Sequence, residues 1–480
     1  LSPEKGGLLQ KGDRRYEKRQ RRKKLKMSEE GGILKVGVEG RLSFWENLVY
    51  GLQHYFLIGM SAFIVPMIFL GAFAQAGPLA LSFDKVAYLV GAMLIGAGIV
   101  TLTQSSILLK LPVAQGQAII LIVLMISTVF AYGWGVTYAG LILAGILTTV
   151  LTLPFSKGVV GWLSRSITPP AVYGTLVLLI GVTMAPQVAF GNMIMPGGQL
   201  SSGMDLILAL IAFLVPLFLM IFVKKGFFRS ASVFIGLLIA VIVAAISGRI
   251  DWSPVASAQW ITVPQIFPMG FEWNWGPVII SGLIMFVGYL AAVSESIGVY
   301  TLVTNLDPSQ KLNKERINKG IFGESLGSVV GTLIGSVPST TYAQNVGLMA
   351  LTGVGARSVI TTCGLLLVLS GFIYKVGAIV AVIPLSIYGG SLLAVLAMLI
   401  AVGISTLSKM KWTDVNMAII GTGIAIGVGA LFWNIHPQGS QMLQKLHPVW
   451  GIFLGNPALL GFLVTWVLYA VFVLPREKEA

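Results

Sequence analysis

Stretches of about 20 apolar residues recur along this chain with almost no charge inside them, and few folds are open to such a chain. The sequence is 56% hydrophobic and 10% charged over 480 residues, whereas a soluble chain carries about 25% charged residues. In hydrocarbon every backbone N–H and C=O must find its partner within the protein, which leaves helices or closed barrels. Spans of this length predict helices. Fourteen are read between residues 44 and 474, including the third near 112–132, the fourth near 135–156, the eighth near 277–304, the ninth near 316–337, the tenth near 338–355 and the eleventh near 358–382. The expected fold is therefore an all-α polytopic membrane protein. The 57 glycines suit close helix packing in a bilayer.

Charge fixes the orientation. The net charge is +14, but 13 of the 32 Lys and Arg lie in residues 1–41, among them Arg19, Arg21, Arg22, Lys23 and Lys24. Residues 1–43 are read as a basic cytoplasmic tail rather than a nucleic-acid-binding arm, with contact to anionic lipid as the functional alternative. Met27 offers an alternative start, with residues 1–26 an upstream extension. With the N-terminus inside, the inner loops hold Lys110, Lys157, Arg165, Lys224, Lys225, Arg229, Lys311, Lys314, Arg316, Lys319, Arg357, Lys409 and Lys411. The outer loops hold only Lys85, Arg249, Lys375 and Lys445. Arg476 and Lys478 place the C-terminal tail, residues 475–480, inside as well. The expected location is the plasma membrane, multi-pass, with both termini cytoplasmic. The single cysteine, Cys363, excludes an intrachain disulfide. No metal-ligand spacing, nucleophile–base pair or phosphate loop is present, so no metal, cofactor or enzymatic activity is expected.

Two segments echo each other. The third span opens Leu-Pro112-Val-Ala-Gln115-Gly-Gln117 and the tenth Val-Pro338-Ser-Thr-Thr-Tyr342-Ala-Gln344. Each starts at a proline, runs through a short polar stretch and reaches Ala-Gln. A second echo pairs Pro170-Ala-Val-Tyr173-Gly174, opening the fifth span, with Pro384-Leu-Ser-Ile-Tyr388-Gly389, opening the twelfth. The matched elements lie seven spans apart. Seven is odd, so the repeats must face opposite ways: 7+7 inverted repeats. Interrupted spans at corresponding positions point to a substrate site. The third and tenth spans are expected to be part extended strand and part half-helix, the strands pairing with each other and each helix N-terminus carrying positive partial charge.

Of the 18 acidic residues, two fall inside apolar spans: Glu295 in the eighth and Glu324 in the ninth. An ionisable side chain at bilayer depth costs at least about 2.5–3.5 kcal/mol and marks an ion or substrate pathway. Downstream, the tenth span reads Gln344-Asn345-Val-Gly347-Leu-Met-Ala-Leu-Thr352-Gly353. This resembles the signature of the nucleobase–ascorbate transporters, the nucleobase:cation symporter-2 family. The family's Gln-His pair in the first span matches Gln53-His54, its eighth-span acid matches Glu295, and its ninth-span acid, usually Asp, matches Glu324. The resemblance covers residues 44–474.

The resemblance implies a core domain of residues 44–156 and 277–382, which carries the substrate, and a gate domain of residues 157–276 and 383–474, which forms a scaffold and a homodimer contact. It implies secondary active transport, with the core sliding against the gate as an elevator, coupled to H⁺ or Na⁺; Glu295 and Glu324, with no Lys or Arg beside them, favour H⁺. A nucleobase presents N–H donors and C=O acceptors along one edge; a carboxylate accepts two N–H groups, and an amide both donates and accepts. The expected substrate-binding residues are Glu295, Gln344, Asn345, Gln115 and Gln53. Glu324, Glu295 and His54 are expected in ion coupling, and Gly347, Thr352 and Gly353 in shaping the signature helix. Each has a plainer reading: Glu324 as a structural hydrogen-bonding acid, His54 as an inter-helix bonding residue, and Gln53, Gln115 and Gln117 as helix-bonding groups. Gln344 before the Asn, Gly353 after the Thr and Val299 four residues beyond Glu295 look like the xanthine and urate branch, so an oxidised purine is the expected substrate. The alternatives are uracil or another nucleobase, or an anion exchanger of the same 7+7 architecture.

Overall fold

Local signals start the helices where the apolar runs begin. Ser43 caps the first helix, accepting from Glu46 N while Glu46 Oε2 accepts from Ser43 N at 2.8 Å. Ser202 and Asp205 repeat that box, and Asn313 caps another start by accepting from Arg316 N at 2.8 Å. The computed structural model describes residues 34–74, 76–153, 166, 167, 169–223 and 227–476. Residues 1–33 of the expected tail lie outside the described residues, as do Lys157, Arg165, Lys224, Lys225 and Lys478 of the orientation argument. The principal elements are α1 (Phe44–Phe73), α2 (Phe83–Leu102), β1 (Gln115–Gln117), α3 (Ile119–Leu151), α4 (Pro170–Met184), α5 (Gly203–Phe222), α6 (Ser232–Ile246), α7 (Trp275–Leu306), α8 (Lys314–Leu333), β2 (Ser339–Thr341), α9 (Ala343–Thr352), α10 (Arg357–Gly371), α11 (Tyr374–Ala381), α12 (Leu385–Leu407), α13 (Asp414–Gly429) and α14 (Pro457–Phe472). Eight helices among the described residues are long and apolar enough to cross a membrane, and three shorter apolar ones accompany them. The chain is a mostly helical, multi-pass membrane protein.

The extended stretches pair with each other. β1 and β2 form an antiparallel ladder with Gln115 opposite Thr341, Gly116 opposite Thr340 and Gln117 opposite Ser339. All six residues are buried. Such a ribbon has two edges that would otherwise be unpaired. Hydroxyls from three helices close them: Gln115 N donates to Thr101 Oγ1 at 3.0 Å, Thr341 N to Ser296 Oγ at 3.0 Å and Ser339 N to Ser328 Oγ at 3.0 Å. Ala118 N donates to Pro338 O at 2.8 Å, where the chain turns into α3.

The helices pack in two sets. α7 lies along α3, α10 and α11 lie on α2, and α8 contacts α2 and α3; separately, α12 lies on α4 and α5, α6 on α5, and α13 and α14 on α4. Backbones approach closely where glycine allows it. A Cβ on Gly377 would stand 2.0 Å from Ala87 O, and one on Gly390 2.0 Å from Ala209 O.

The boundary expected between the third and fourth spans falls at Gly133, where α3 is two helices joined across a kink (φ 83°, ψ 171°), a conformation open essentially to glycine only. Two features differ from expectation. The tail is not free up to residue 43. Leu34 and Val38 are buried, Val36 N donates to Gly353 O and accepts Gly355 N at its own carbonyl, Arg357 N donates to Val38 O, and Val38 N donates to Asp307 Oδ2 at 2.9 Å. Finally, the segment between α6 and α7, expected within the gate, is sewn to α2, α8, α10 and α11. Thr262 N donates to Phe372 O, Tyr374 N to Trp260 O and Phe267 N to Leu333 O, and Lys375 lies 4.7 Å from the centre of the Trp260 ring.

The contact of α12 with α5 at Gly390 has no room for a side chain, whereas a Cβ on Gly421 of α13 meets nothing within 4 Å. Gly390→Val is expected to lower the melting temperature of the detergent-purified protein sharply or to prevent folding, since overpacking costs about 1–3 kcal/mol or more. Gly421→Ala should leave it unchanged or slightly raised. Equal effects would contradict the packing described here.

Candidate functional site

The ribbon, α7 and α8 converge on one carboxylate. Glu324 of α8 is 4% exposed. Its Oε1 accepts from Ser296 Oγ at 2.7 Å. Its Oε2 accepts from Gln115 Nε2 at 3.0 Å, Thr341 Oγ1 at 3.2 Å and Tyr300 OH at 3.2 Å. Gln115 Nε2 also donates to Thr341 Oγ1 at 2.7 Å, joining the two strands through their facing side chains. No Lys, Arg or His takes part; four neutral donors surround the acid. Residues 296 and 300 are one turn apart on α7, so both point at Glu324. None of these bonds goes to the backbone near Asn345. The acid holds the strands rather than the helix that follows them.

Glu295 is half-buried and stands on the other side of the same ribbon. Thr340, which alternates with Thr341 along β2, is its hydrogen-bonding neighbour. Thr340 Oγ1 lies 3.1 Å from Ser296 Oγ and 3.2 Å from Ala292 O. The hydroxyls of Tyr173 and Tyr342 lie within electrostatic range of Glu295. Tyr173 packs over Gly298, where a Cβ would come within 3.1 Å of the ring, and its buried hydroxyl has no partner among the described residues. Tyr342 lies on Gly116, where a Cβ would be 2.6 Å from Cζ, and donates to Gln117 O at 2.9 Å.

The two signature polar residues face different ways. Gln344 lines a cavity of about 40 Å³ together with Ser61, Tyr342, Phe234 and Leu392. This cavity lies between the two helix sets, and Phe56 stacks on Phe234 across it at 4.4 Å. Ligand pockets usually measure about 300–1,000 Å³, so a base would need the sets to separate. Asn345 points back into the first set: its Nδ2 donates to Pro112 O at 2.9 Å, and it adjoins His54 of α1. Asn345 Oδ1, His54 Nδ1, Gln53 Oε1 and Gln115 Oε1 are buried without a hydrogen-bond partner among the described residues. Buried polar atoms are usually paired, so this concentration marks a polar site.

The structure brings Gln115, Glu324 and Glu295 together around the ribbon. It sets His54 and Asn345 beside each other, and leaves Gln53 outside the carboxylate cluster. Gln117 is fully engaged, accepting from Ser61 Oγ at 2.8 Å and donating to Met93 O at 2.8 Å. Thr352 and Gly353 shape the end of α9. Gly353 adopts φ 72° and its N–H donates to Met349 O at 2.8 Å, while Thr352 Oγ1 donates to Leu348 O. Gly347 faces open space. Arg357 pairs with Glu39 at 2.6 Å and donates to Ser105 O. Sequence reasoning missed Ser296, Tyr300, Thr340 and Gln104. Tyr173 had a signal in the Pro-Ala-Val-Tyr-Gly echo.

The model of a family described as "Permease family" matches residues 46–436. A nucleobase transporter of Paenibacillus larvae is 30% identical over 440 residues, covering 90% of this chain and 96% of that protein. The xanthine permease of Bacillus subtilis is 30% identical over 397 residues, covering 81% and 86%. Among solved structures, the transmembrane domain of a cyanobacterium bicarbonate transporter superposes with a TM-score of 0.54 over 90% of this chain and 99% of that one. At 14% identity this likeness concerns the fold alone.

Proposed function

Because the chain belongs to the nucleobase–ascorbate transporters, the permease family whose model it matches, it is a membrane permease and not an enzyme, and we propose that it imports an oxidised purine nucleobase, xanthine or urate, together with H⁺. The observation that carries the reading is the placement of two acids on opposite faces of one ribbon. Glu324 is closed into a cage of four donors, while Glu295 stays half-buried beside Tyr173 and Tyr342. In this reading Glu295 accepts two N–H groups of the base, and Gln344, Asn345, Gln115 and Gln53 supply the remaining polar atoms at the pocket, with His54 beside Asn345. The partnerless Oδ1 of Asn345 and Oε1 of Gln115 and Gln53 support it. A site built to bond polar edges rejects analogues that leave its own groups unpaired.

Glu324 couples the proton to the strands. The hydrogens of Ser296, Thr341 and Tyr300 and both amide hydrogens of Gln115 already point within this network. A proton on Glu324 adds one hydrogen to a cage whose four members already donate to the carboxylate, so one donor must turn, and the Gln115 amide carries a free acceptor to receive it. The donors on the strands, Gln115 and Thr341, are those whose turning is felt at the base. Glu295 exchanges its proton for the substrate's N–H groups. Na⁺ is the alternative coupling ion.

The wider architecture follows the same reading. It has fourteen spans as 7+7 inverted repeats, a core of residues 44–156 and 277–382, a gate of residues 157–276 and 383–474, both termini cytoplasmic, and a homodimer in the plasma membrane. The two helix sets, with Gln344 at the cavity between them, support an elevator in which the core slides past the gate. The outer segment between α6 and α7, although within residues 157–276, would then travel with the core rather than stay with the gate.

Uptake of radiolabelled xanthine into proteoliposomes, with unlabelled urate, guanine, uracil, sulfate and bicarbonate as competitors, tests the reading. Purines are expected to compete and the anions to have no effect, and an ionophore that collapses the proton gradient and membrane potential should halt accumulation. Competition by sulfate or bicarbonate alone would favour anion exchange. Accumulation that survives the ionophore and depends strictly on Na⁺ would reverse the choice of ion.

Glu295→Gln is expected to abolish accumulation while the protein still folds and inserts. Losing an interaction of a buried charge with the base costs about 1.5–3 kcal/mol, roughly 10- to 150-fold in affinity. Wild-type uptake rates in this variant would remove Glu295 from the site.

A further inference from the structure

Glu324 has one donor that belongs to neither strand, and behind that donor stands a residue no motif contains. Tyr300 OH donates to Glu324 Oε2 at 3.2 Å. Tyr300 OH in turn accepts from Gln104 Nε2 at 3.3 Å, and the same amide nitrogen donates to Gly320 O at 2.6 Å, one turn before Glu324 on α8. Gln104 and Tyr300 are fully buried. Gln104 is presented by a π-turn, Thr103–Ile107, that continues α2; there Leu108 N reaches back five residues to Thr103 O. Such single wide turns are rare in helices and occur frequently at functional sites.

The direction of these bonds decides what they can do. Gln104 spends both amide hydrogens, one on Gly320 O and one on the Tyr300 oxygen. The tyrosine oxygen therefore acts as acceptor on the Gln104 side, and its single hydrogen is turned to Glu324. An amide donor of this kind cannot pass a proton onward, so the chain ends at Gln104 and orients rather than conducts. From these geometries we infer that Gln104 and Tyr300 are positioning residues for proton coupling. Gln104 fixes the Tyr300 hydroxyl as a permanent donor to Glu324, which sets the pH range over which Glu324 exchanges its proton. The inference rests on the reading of Glu324 as the coupling acid.

The titratable groups whose charges act on Glu324 are Glu295, Tyr289 and Tyr300, all from α7, and of these Tyr300 bonds to it directly. From α2 the facing residue is Gln104, and from β1 and β2 they are Gln115 and Thr341, none of which titrates. No cation among the described residues forms an ion pair with the acid. The Tyr300 hydroxyl is thus the donor that can be removed while both strands and the other acid stay intact. Tyr300→Phe keeps the ring, and it leaves the Gln104 amide its bond to Gly320.

The test is the pH profile of ΔpH-driven xanthine uptake in proteoliposomes for the full-length protein, Tyr300→Phe and Gln104→Leu, each checked for a wild-type melting profile. A hydrogen bond to a charged group, expressed in pH units, corresponds to about one unit. With one donor gone the carboxyl keeps its proton to higher pH. The pH at which uptake falls to half should therefore rise by about one unit in Tyr300→Phe, with KM for xanthine nearly unchanged. Gln104→Leu, which frees the hydroxyl to turn, should move the midpoint in the same direction by less. A loss of uptake at every pH with an unmoved midpoint in both variants would overturn the positioning role and leave the transport reading standing. A wild-type profile that is flat with pH would overturn the coupling role of Glu324 and this inference with it.

Discussion

A backbone that leaves the helical state inside a membrane must find every hydrogen-bond partner within the protein, and the rest of this structure is arranged around meeting that demand at one place. Two three-residue strands cross in the middle of the chain's apolar mass. Each meets half of the need for the other, and the outward-facing N–H groups are taken by Thr101, Ser296 and Ser328 from three helices. The strands also present side chains to both faces, because successive residues alternate. Thr341 points to Glu324 and Thr340 to Glu295. Two acids can therefore bond to successive residues of the same strand, and in the proposed reading one serves the proton and the other the base. A continuous helix would offer that backbone to neither.

The arrangement explains why the second acid is neutralised by hydroxyls and amides rather than by a cation. A buried Lys or Arg beside Glu324 would lock it as an ion pair, and breaking such a pair is costly. Four neutral donors hold the charge, and Tyr300 is fixed by Gln104 while Ser296, Thr341 and Gln115 can turn when a proton arrives. The signature residues divide their work in a similar way. Gln344 opens on the cavity between the helix sets, while Asn345, one residue on, ties α9 to Pro112 at the start of the other strand segment. The turn at Thr352-Gly353 is then gripped from outside by residues 34–39, which join it to Asp307 at the end of α7.

Much of this was legible in the sequence. The Pro-to-Ala-Gln echo located both strands, because a proline followed by a short polar stretch recurs at corresponding places in two apolar spans. The isolation of Glu295 and Glu324 marked the place where the structure gathers its buried polar residues, because charge at that depth is otherwise removed. Thr352-Gly353 read correctly as a helix end, because φ > 0 calls for glycine. What stayed hidden had no local signature. Ser296 and Tyr300 look like ordinary residues of an apolar helix, and only the placement of α8 beside α7 turns them toward Glu324. Gln104 sits in a π-turn that hydrophobic periodicity cannot reveal. The docking of Leu34 and Val38 was masked by the basic run before them, whose charge suggested a tail throughout. The break at Gly133 was visible only as a short gap between two spans, not as a single residue.

The central claim is that Glu324 links the proton to the strands without itself holding the base. Measuring xanthine binding by calorimetry and its accumulation in proteoliposomes on the same preparation of Glu324→Gln tests it most directly. The account predicts that binding stays near wild type while accumulation against a gradient is lost. Binding and accumulation that fall together in proportion would contradict it, and would make Glu324 a structural support for the ribbon alone.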